Sequence, residues 1–124
     1  MNVSAVVPAG GSGVRMGGSI PKQFQWLNGK PILFYTLKTL QDSGVISEIV
    51  LVLPKKEYET AGADWLGNPA IVKKVVIGGE KRQDSVFNGV NEVSQETEIV
   101  LVHDGVRPFL SSKMISESLV EDIL

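Results

Sequence analysis

Four short apolar segments recur along the chain, and each ends at a glycine, a proline or a polar cluster. They are Val3–Pro8, residues 49–53, Val72–Ile77 and Ile99–Val102. Short segments rich in valine and isoleucine favour β-strands. Because apolar residues run continuously through them instead of alternating with polar ones, the segments predict strands that are buried on both faces, as in a parallel sheet.

The stretches between these segments carry helical signals. Asn28 and Gly29 predict a turn, and Pro31 suits the first position of a helix that ends near residues 43–44. Residues 56–66 predict a weaker helix, which Gly62 interrupts. Asp84 is predicted to cap a third helix, and a last helix is expected from about residue 112. Outside the weaker helix, the apolar positions at helical spacing are Leu33, Leu37, Leu40, Val86, Val90, Val93, Ile115, Leu119 and Ile123.

Strands that alternate with helices predict an α/β fold with a Rossmann-like, doubly wound, mainly parallel sheet. In such sheets ligands bind beyond the C-terminal ends of the strands. Polar, glycine-bearing clusters follow the first, third and fourth predicted strands, so they predict a site at that edge. The 124 residues suit one compact domain. Because Leu124 lies inside a predicted helix with no stop signal after it, we expect the chain to be the front part of a longer protein.

The composition of the chain limits the classes of protein to which it can belong. Twelve basic and fourteen acidic side chains give a net charge of -2, which disfavours binding to nucleic acid or to an acidic membrane surface. The absence of cysteine excludes disulfides, thiolate zinc sites and cysteine nucleophiles. No apolar run approaches the roughly 18 residues that span a bilayer. Without a targeting segment at its start, the chain is expected to be cytoplasmic.

The first polar cluster reads PAGGSGVRMG from Pro8, with Lys22 soon after. Small residues let backbone N–H groups approach phosphate oxygens, and Arg15 and Lys22 add two cations that could reach a polyphosphate. The alternative is an ordinary strand-to-helix turn with two solvated basic residues. A dinucleotide fingerprint fails because Met16 stands where G-x-G-x-x-G needs its last glycine, and no Walker A sequence is present. Hydride-transferring oxidoreductases and P-loop enzymes are therefore disfavoured.

The second and third clusters lie after the third and fourth predicted strands. The second cluster, GGEKRQDS, has a glycine pair directly before a predicted helix N-terminus, which could bind an anion or a polar base edge, and Ser85 adds a hydroxyl. The alternative is a capped loop with a purely structural role. The third cluster, HDGVRP, places Asp104 where a carboxylate could bind Mg²⁺ or a ribose, with Arg107 as a possible structural partner. His103 is predicted to be a packed residue and not a catalyst.

These clusters, in this order, resemble the nucleotidyltransferases that join a nucleoside triphosphate to a phosphorylated sugar or polyol. The chain is most similar to the 2-C-methyl-D-erythritol 4-phosphate cytidylyltransferase family of non-mevalonate isoprenoid biosynthesis. The segments that carry this resemblance are GGSGVRMG with PKQF, GGEKRQDSV and VLVHDGVRPF. The ribitol-5-phosphate cytidylyltransferases are a close alternative. Residues 9–11 look more like the ribitol enzymes, whereas residues 84–86 and 103–105 favour the erythritol family.

The resemblance implies a fold of the nucleotide-diphospho-sugar transferase type and a site for CTP and a polyol phosphate. It also implies that residues 1–124 form a single nucleotide-binding domain, the N-terminal half of a longer catalytic domain. Arg15 and Lys22 would be catalytic, stabilising charge on the phosphoryl groups, and Asp104 would lie near Mg²⁺. The full-length protein would form a homodimer. Two other functions stay open, a non-catalytic nucleotide-binding fragment and a sugar-1-phosphate nucleotidyltransferase that uses UTP or GTP. The residues implied to hold CTP, largely through backbone atoms, are Pro8, Ala9, Gly10, Gly11, Gly79, Ser85, Asp104 and Gly105.

Overall fold

The computed structural model describes residues 2–9 and 26–103. The strands are β1 (Val3–Pro8), β2 (Trp26–Leu27), β3 (Lys30–Pro31), β4 (Glu48–Leu53), β5 (Val72–Ile77) and β6 (Ile99–Val102). The helices are α1 (Ile32–Asp42), α2 (Lys55–Trp65) and α3 (Arg82–Val90). The helix predicted from residue 112 lies outside the described residues. Within them, no helix is both long enough and apolar enough to cross a membrane.

The main sheet has the order β5-β4-β1-β6, and all its strand pairs are parallel. Val6 in the central strand β1 lies opposite Val50 of β4 on one side and Val102 of β6 on the other. The chain therefore moves outward from β1 to β4 and β5, then returns across β1 to form β6. Right-handed crossovers along such a path place the earlier helices on one face and α3 on the other. The predicted doubly wound, parallel α/β fold is confirmed.

Two apolar layers cover the two faces of this sheet, which explains why its strands are apolar throughout. On one face, the strand side chains pack with α1 and with Trp65 of α2; the buried members include Ala5, Val7, Leu33, Leu37, Leu40, Ile49, Leu51, Leu53 and Leu101. On the other face, the strand side chains pack with α3; the members include Val6, Val50, Val52, Val102, Val86 and Val90. The predicted α1 stripe is thus buried.

The connection before α1 is a small hairpin that the apolar pattern did not predict. Strands β2 and β3 pair antiparallel around Asn28 and Gly29, the predicted turn. Both turn residues have positive φ, +51° and +84°, as in the type I′ turns that suit two-residue hairpins. Strands of two residues are too short to leave a periodic signal. Pro31 caps α1 instead of occupying its first turn, a difference of one residue.

The start of α3 corrects the predicted cap. Lys81 is the N-cap residue, and Asp84 lies three residues further on, inside the first turn. Its carboxylate Oδ2 accepts a hydrogen bond of 3.3 Å from the Lys81 backbone N–H. An acidic side chain at this position reaches back to the cap, so it stabilises the helix start without being the cap itself. The helix ends at Val90, so Val93 packs against the same apolar layer from beyond the helix.

Gly89 allows α3 to lie close to the sheet. A Cβ atom at this position would collide with Val6 Cγ1 and lie 2.9 Å from Val52 Cγ2. We expect Gly89→Ala to lower the free energy of unfolding by about 1–3 kcal/mol, the cost of overpacking a core. Urea unfolding followed by circular dichroism measures it. Gly62→Ala in α2 is the matched control, since that Cβ meets only the Tyr58 ring at 3.2 Å; equal stability of the two variants would contradict the expectation.

The outer strand β5 is irregular where it pairs with β4. Val72 pairs with Ile49, but Lys74 pairs with Val50, so Lys73 is an extra residue at a β-bulge and its side chain is exposed. The Lys74 ammonium Nζ donates a 2.6 Å hydrogen bond to the backbone oxygen of Glu92, beyond the end of α3. The bulge and the two lysines therefore lie on the strand that has one partner among the described strands.

A buried carboxylate joins three segments at the N-terminal end of the sheet. Glu48 begins β4 and is 8% exposed. Its Oε2 atom accepts hydrogen bonds from the Ser4 hydroxyl at 2.6 Å, the Ser94 backbone N–H at 2.8 Å and the Thr97 hydroxyl at 3.4 Å. Burial raises the pKa of this carboxyl, but these hydrogen bonds favour the charged form more strongly and hold the pKa below its usual value. The α3–β6 connection is thereby tied to β1 and β4.

Candidate functional site

The described residues that begin the three polar clusters follow the C-terminal ends of parallel strands: Pro8 and Ala9 at β1, Gly78 after β5 and His103 after β6. Ala9 directly follows β1, and its backbone N–H donates to the Val52 carbonyl of β4 at 2.9 Å. His103 directly follows β6, and its N–H donates to the Val6 carbonyl of β1 at 3.0 Å. Strands β1 and β6 are neighbours where the strand order reverses. Such a reversal is the usual place of ligand binding in open α/β sheets.

The described residues contain four of the predicted site residues. Pro8 and Ala9 are buried at the end of β1, so any contact with a ligand would come from their backbone. Gly79 lies in the exposed loop after β5, and Ser85 lies in α3. The remaining predicted residues lie outside the described residues; they are Gly10, Gly11, Arg15, Lys22, Asp104 and Gly105.

The Gly78–Gly79 loop lies directly against the first turns of α3. The Gly79 N–H donates to the Ser85 hydroxyl at 3.2 Å, and the Gly78 N–H donates to the Leu53 carbonyl at 2.8 Å. A Cβ at Gly78 would lie 2.5 Å from Ser85 Oγ, and one at Gly79 would overlap the Asp84 side chain. Both positions therefore require glycine because of the close approach of the helix.

These hydrogen bonds determine what the loop can offer to a ligand. The N–H groups of Gly78 and Gly79 are both bonded inside the protein, and Ser85 is 4% exposed. The loop therefore presents hydrogen-bond acceptors, its carbonyl oxygens, more readily than donors. Ser85 accepts the hydrogen bond from the Gly79 N–H and therefore stabilises the loop, while a ligand-binding role of this cluster stays a prediction.

His103 and the predicted Mg²⁺ site also belong to the C-terminal ends of the strands. His103 is buried, as predicted for a packed residue. In the part of the chain that the structure describes, no group of three or more His, Cys, Asp or Glu side chains could hold a metal ion. Asp104, the residue predicted to lie near Mg²⁺, is outside that part, so the described residues do not test the Mg²⁺ prediction.

A groove of about 410 Å³ lies elsewhere, between α2 and β5. Its lining includes Tyr58, Glu59, Asp64, Leu66 and Val75, and none of the predicted site residues. We therefore assign the candidate site to the strand ends and not to this groove.

Asn88 is a residue of this edge that the sequence did not single out. Its side-chain Nδ2 donates to the carbonyl of Ile77, the residue before the glycine pair, at 3.1 Å. The available signal was weak: an asparagine inside a predicted helix, where its intrinsic propensity is poor.

The strand order β5-β4-β1-β6, with helices packed on both faces of the sheet, is that of a doubly wound α/β domain, and the Gly78–Gly79 loop lies at the C-terminal end of its strand β5. The model of the 2-C-methyl-D-erythritol 4-phosphate cytidylyltransferase family matches residues 3–123, and the chain belongs to this family. A curated relative of that name from Clostridium botulinum is 46% identical over 118 residues, covering 94% of this chain and 52% of the relative. One from Syntrophus aciditrophicus is 47% identical over 117 residues, covering 92% and 50%.

A solved structure gives the same result for the fold. The 4-diphosphocytidyl-2C-methyl-D-erythritol synthase of Anaerococcus prevotii superimposes with a TM-score of 0.78 at 31% identity. The match covers 97% of this chain and 50% of that chain. The chain spans about half the length of the curated relatives and of this solved structure.

Proposed function

We propose that this chain supplies the CTP part of the active site of a 2-C-methyl-D-erythritol 4-phosphate cytidylyltransferase. The whole protein would transfer a cytidylyl group from CTP to 2-C-methyl-D-erythritol 4-phosphate and release pyrophosphate, in non-mevalonate isoprenoid biosynthesis. The observation that carries the proposal is the match of the family model to residues 3–123. The geometry supports it, because the predicted nucleotide-binding clusters follow β1, β5 and β6 at one edge of a parallel sheet.

The acceptors of the Gly78–Gly79 loop suit the base of CTP better than its phosphates. Cytosine carries an exocyclic amino group that donates hydrogen bonds, whereas uracil has a carbonyl at the same place. Loop carbonyl oxygens can accept from that amino group, while phosphate oxygens would need donors. In this arrangement Gly79 and Ser85 belong to the base and ribose side. Backbone groups at Pro8, Ala9, Gly10 and Gly11, with Asp104 and Gly105, complete the proposed nucleotide site.

The reaction needs no nucleophilic side chain. An oxygen of the acceptor's phosphate forms a bond to the α-phosphorus of CTP, and the bond from that phosphorus to the bridging β-phosphate oxygen breaks. Pyrophosphate leaves with the electron pair. Because the attacking group is already an anion, catalysis reduces to positioning and electrostatic stabilisation. Arg15 and Lys22 are the proposed catalytic residues, with their cationic groups directed at the phosphoryl oxygens.

Mg²⁺ is part of the proposal, with Asp104 as its residue in this chain. Carboxylate oxygens are suitable ligands for this hard cation, which otherwise keeps waters and substrate phosphate oxygens around it. When bound, the ion would neutralise charge on the triphosphate. Homodimerisation of the full-length protein and a cytoplasmic location stay predictions.

The first experiment measures nucleotide preference. We expect the chain to bind CTP about ten- to a hundredfold more tightly than UTP, because one acceptor left facing the uracil carbonyl costs about 1–3 kcal/mol. Isothermal titration calorimetry with CTP, UTP and GTP in turn, each with Mg²⁺, measures the ratio. Equal affinity for CTP and UTP would contradict base recognition by the loop, and a preference for UTP or GTP would favour a sugar-1-phosphate nucleotidyltransferase.

A second assay names the acceptor. Pyrophosphate release is followed with CTP and Mg²⁺, offering 2-C-methyl-D-erythritol 4-phosphate and ribitol 5-phosphate separately. Release with the first supports the proposed reaction, and release with ribitol 5-phosphate alone identifies the alternative suggested by residues 9–11. CTP binding without release from either acceptor would make this chain a nucleotide-binding fragment.

A further inference from the structure

Two successive peptide units in the loop after β5 are held by hydrogen bonds. The Ile77–Gly78 unit is fixed at both ends: its N–H donates to Leu53 of β4 at 2.8 Å, and its carbonyl accepts from Asn88 Nδ2 at 3.1 Å. The next unit, Gly78–Gly79, is fixed through its N–H, which donates to Ser85 Oγ at 3.2 Å. Helix α3 therefore supplies two of these three hydrogen bonds.

The Ile77 carbonyl needs a side-chain partner because of its place in the sheet. The C=O and N–H of a trans peptide unit point in opposite directions. Since the Gly78 N–H points to β4, the Ile77 carbonyl points to the other side of β5, where no described strand pairs with it. Asn88 is half-buried and donates to this carbonyl from the helix.

Asn88 and Ser85 can act together because they are three residues apart and lie on neighbouring positions of one helix face. The close approach at Gly89 sets the distance from which they act, since α3 lies directly against Val6 and Val52 there. Asn88 thus controls the direction of one peptide unit and Ser85 that of the next. With both units fixed, the carbonyl oxygen of Gly78 has a defined direction before any ligand binds.

We propose that Asn88 is a positioning residue of the nucleotide site: its amide fixes the Ile77–Gly78 peptide, so that the Gly78 carbonyl on the next unit is set in advance to distinguish cytosine from uracil. This inference rests on the proposed function. A loop that is already ordered loses less conformational entropy when a ligand binds. Both the affinity for CTP and the preference for cytosine over uracil therefore depend on this order.

The test compares Asn88→Ala with Asn91→Ala, the same change three residues further on at an exposed position of α3's end. We expect Asn88→Ala to raise the Kd for CTP about three- to tenfold, the range of one lost hydrogen bond, and to leave the Kd for UTP within twofold. In the ligand-free protein, amide exchange of Gly79 measured by NMR should become at least about threefold faster, because the loop opens more often. Asn91→Ala should change neither quantity.

Each outcome decides a separate point. Suppose that the wild-type chain prefers CTP, and that Asn88→Ala and Asn91→Ala have the same Kd for CTP and the same Gly79 amide exchange rate. The positioning role is then overturned while the proposed function stands. An equal loss of CTP and UTP affinity also overturns it, since a merely structural role moves both alike. If the wild-type chain binds no nucleotide, the proposed function fails, and the nucleotide role of Asn88 fails with it. Should Asn88→Ala not fold by circular dichroism, Asn88→Asp keeps the shape and removes the donor, with Asn91→Asp as its control.

Discussion

Arg15→Ala is expected to lower kcat for pyrophosphate release about 10²- to 10³-fold, the usual loss for one group that stabilises transition-state charge. The reason is that negative charge on the transferring phosphoryl group and on the departing pyrophosphate would lose a cationic partner. KM for CTP should change less than kcat, because the contact strengthens as the transition state forms. Steady-state kinetics with CTP and the erythritol phosphate acceptor measure both constants.

The same substitution can be tested by binding alone, which does not require turnover by this chain. The Kd for CTP should rise about tenfold or more, as for a lost charge-assisted hydrogen bond, while the Kd for cytidine should stay unchanged. Lys73→Ala removes the same charge from the β5 bulge and serves as control. If Arg15→Ala retains wild-type kcat, or weakens cytidine as much as CTP, the phosphoryl role of Arg15 is wrong.

Glu48→Ala is expected to lower the free energy of unfolding by about 2–4 kcal/mol. The substitution leaves the Ser4 hydroxyl, the Ser94 N–H and the Thr97 hydroxyl without their shared acceptor in a buried place. For a domain of this size, each kcal/mol corresponds to about 3–6 °C in Tm. Glu96→Ala, in the same connection but exposed, should have little effect; a similar loss in both variants would contradict the network.

The contribution of Glu48 should depend on pH in a defined direction. Its pKa in the folded protein lies below the ordinary value of 4.5, so the unfolded chain takes up a proton first on acidification. The stabilisation is therefore fully present above pH 4.5 and is lost as the pH falls through the lower, folded-state pKa. Comparing wild type with Glu48→Gln across this range should show a stability difference that is constant near neutral pH and shrinks in acid. A difference that grows on acidification would contradict the direction of the pKa shift.

The sequence predicts the features that repeat or that depend on local backbone chemistry. The four apolar segments become the four strands of the main sheet within a residue at their boundaries. The turn at Asn28 and Gly29 is also found where it was predicted. The helix predicted over residues 56–66 is present as α2, but it runs through Gly62 without interruption. These signals are local, because a strand, a turn or a helix is specified mostly by neighbouring residues.

The interactions that the sequence does not reveal join residues far apart in the chain. Glu48 lies 44 residues from Ser4 and 46 from Ser94, so nothing near it in the sequence marks it as buried. Asn88 reaches back 11 residues to Ile77, which becomes possible only once α3 rests on the sheet. For the same reason the glycine pair could be predicted as a loop, but the hydrogen bonds from its N–H groups to Leu53 and Ser85 could not.

The bulge of β5 affects how this sheet could join with other sheets. A strand added to β5 would lie beside an irregular strand that carries the exposed Lys73 side chain. Bulges and charged side chains on outer strands are a common natural protection against pairing between sheets. Growth of a fibril by strand addition at β5 is therefore disfavoured.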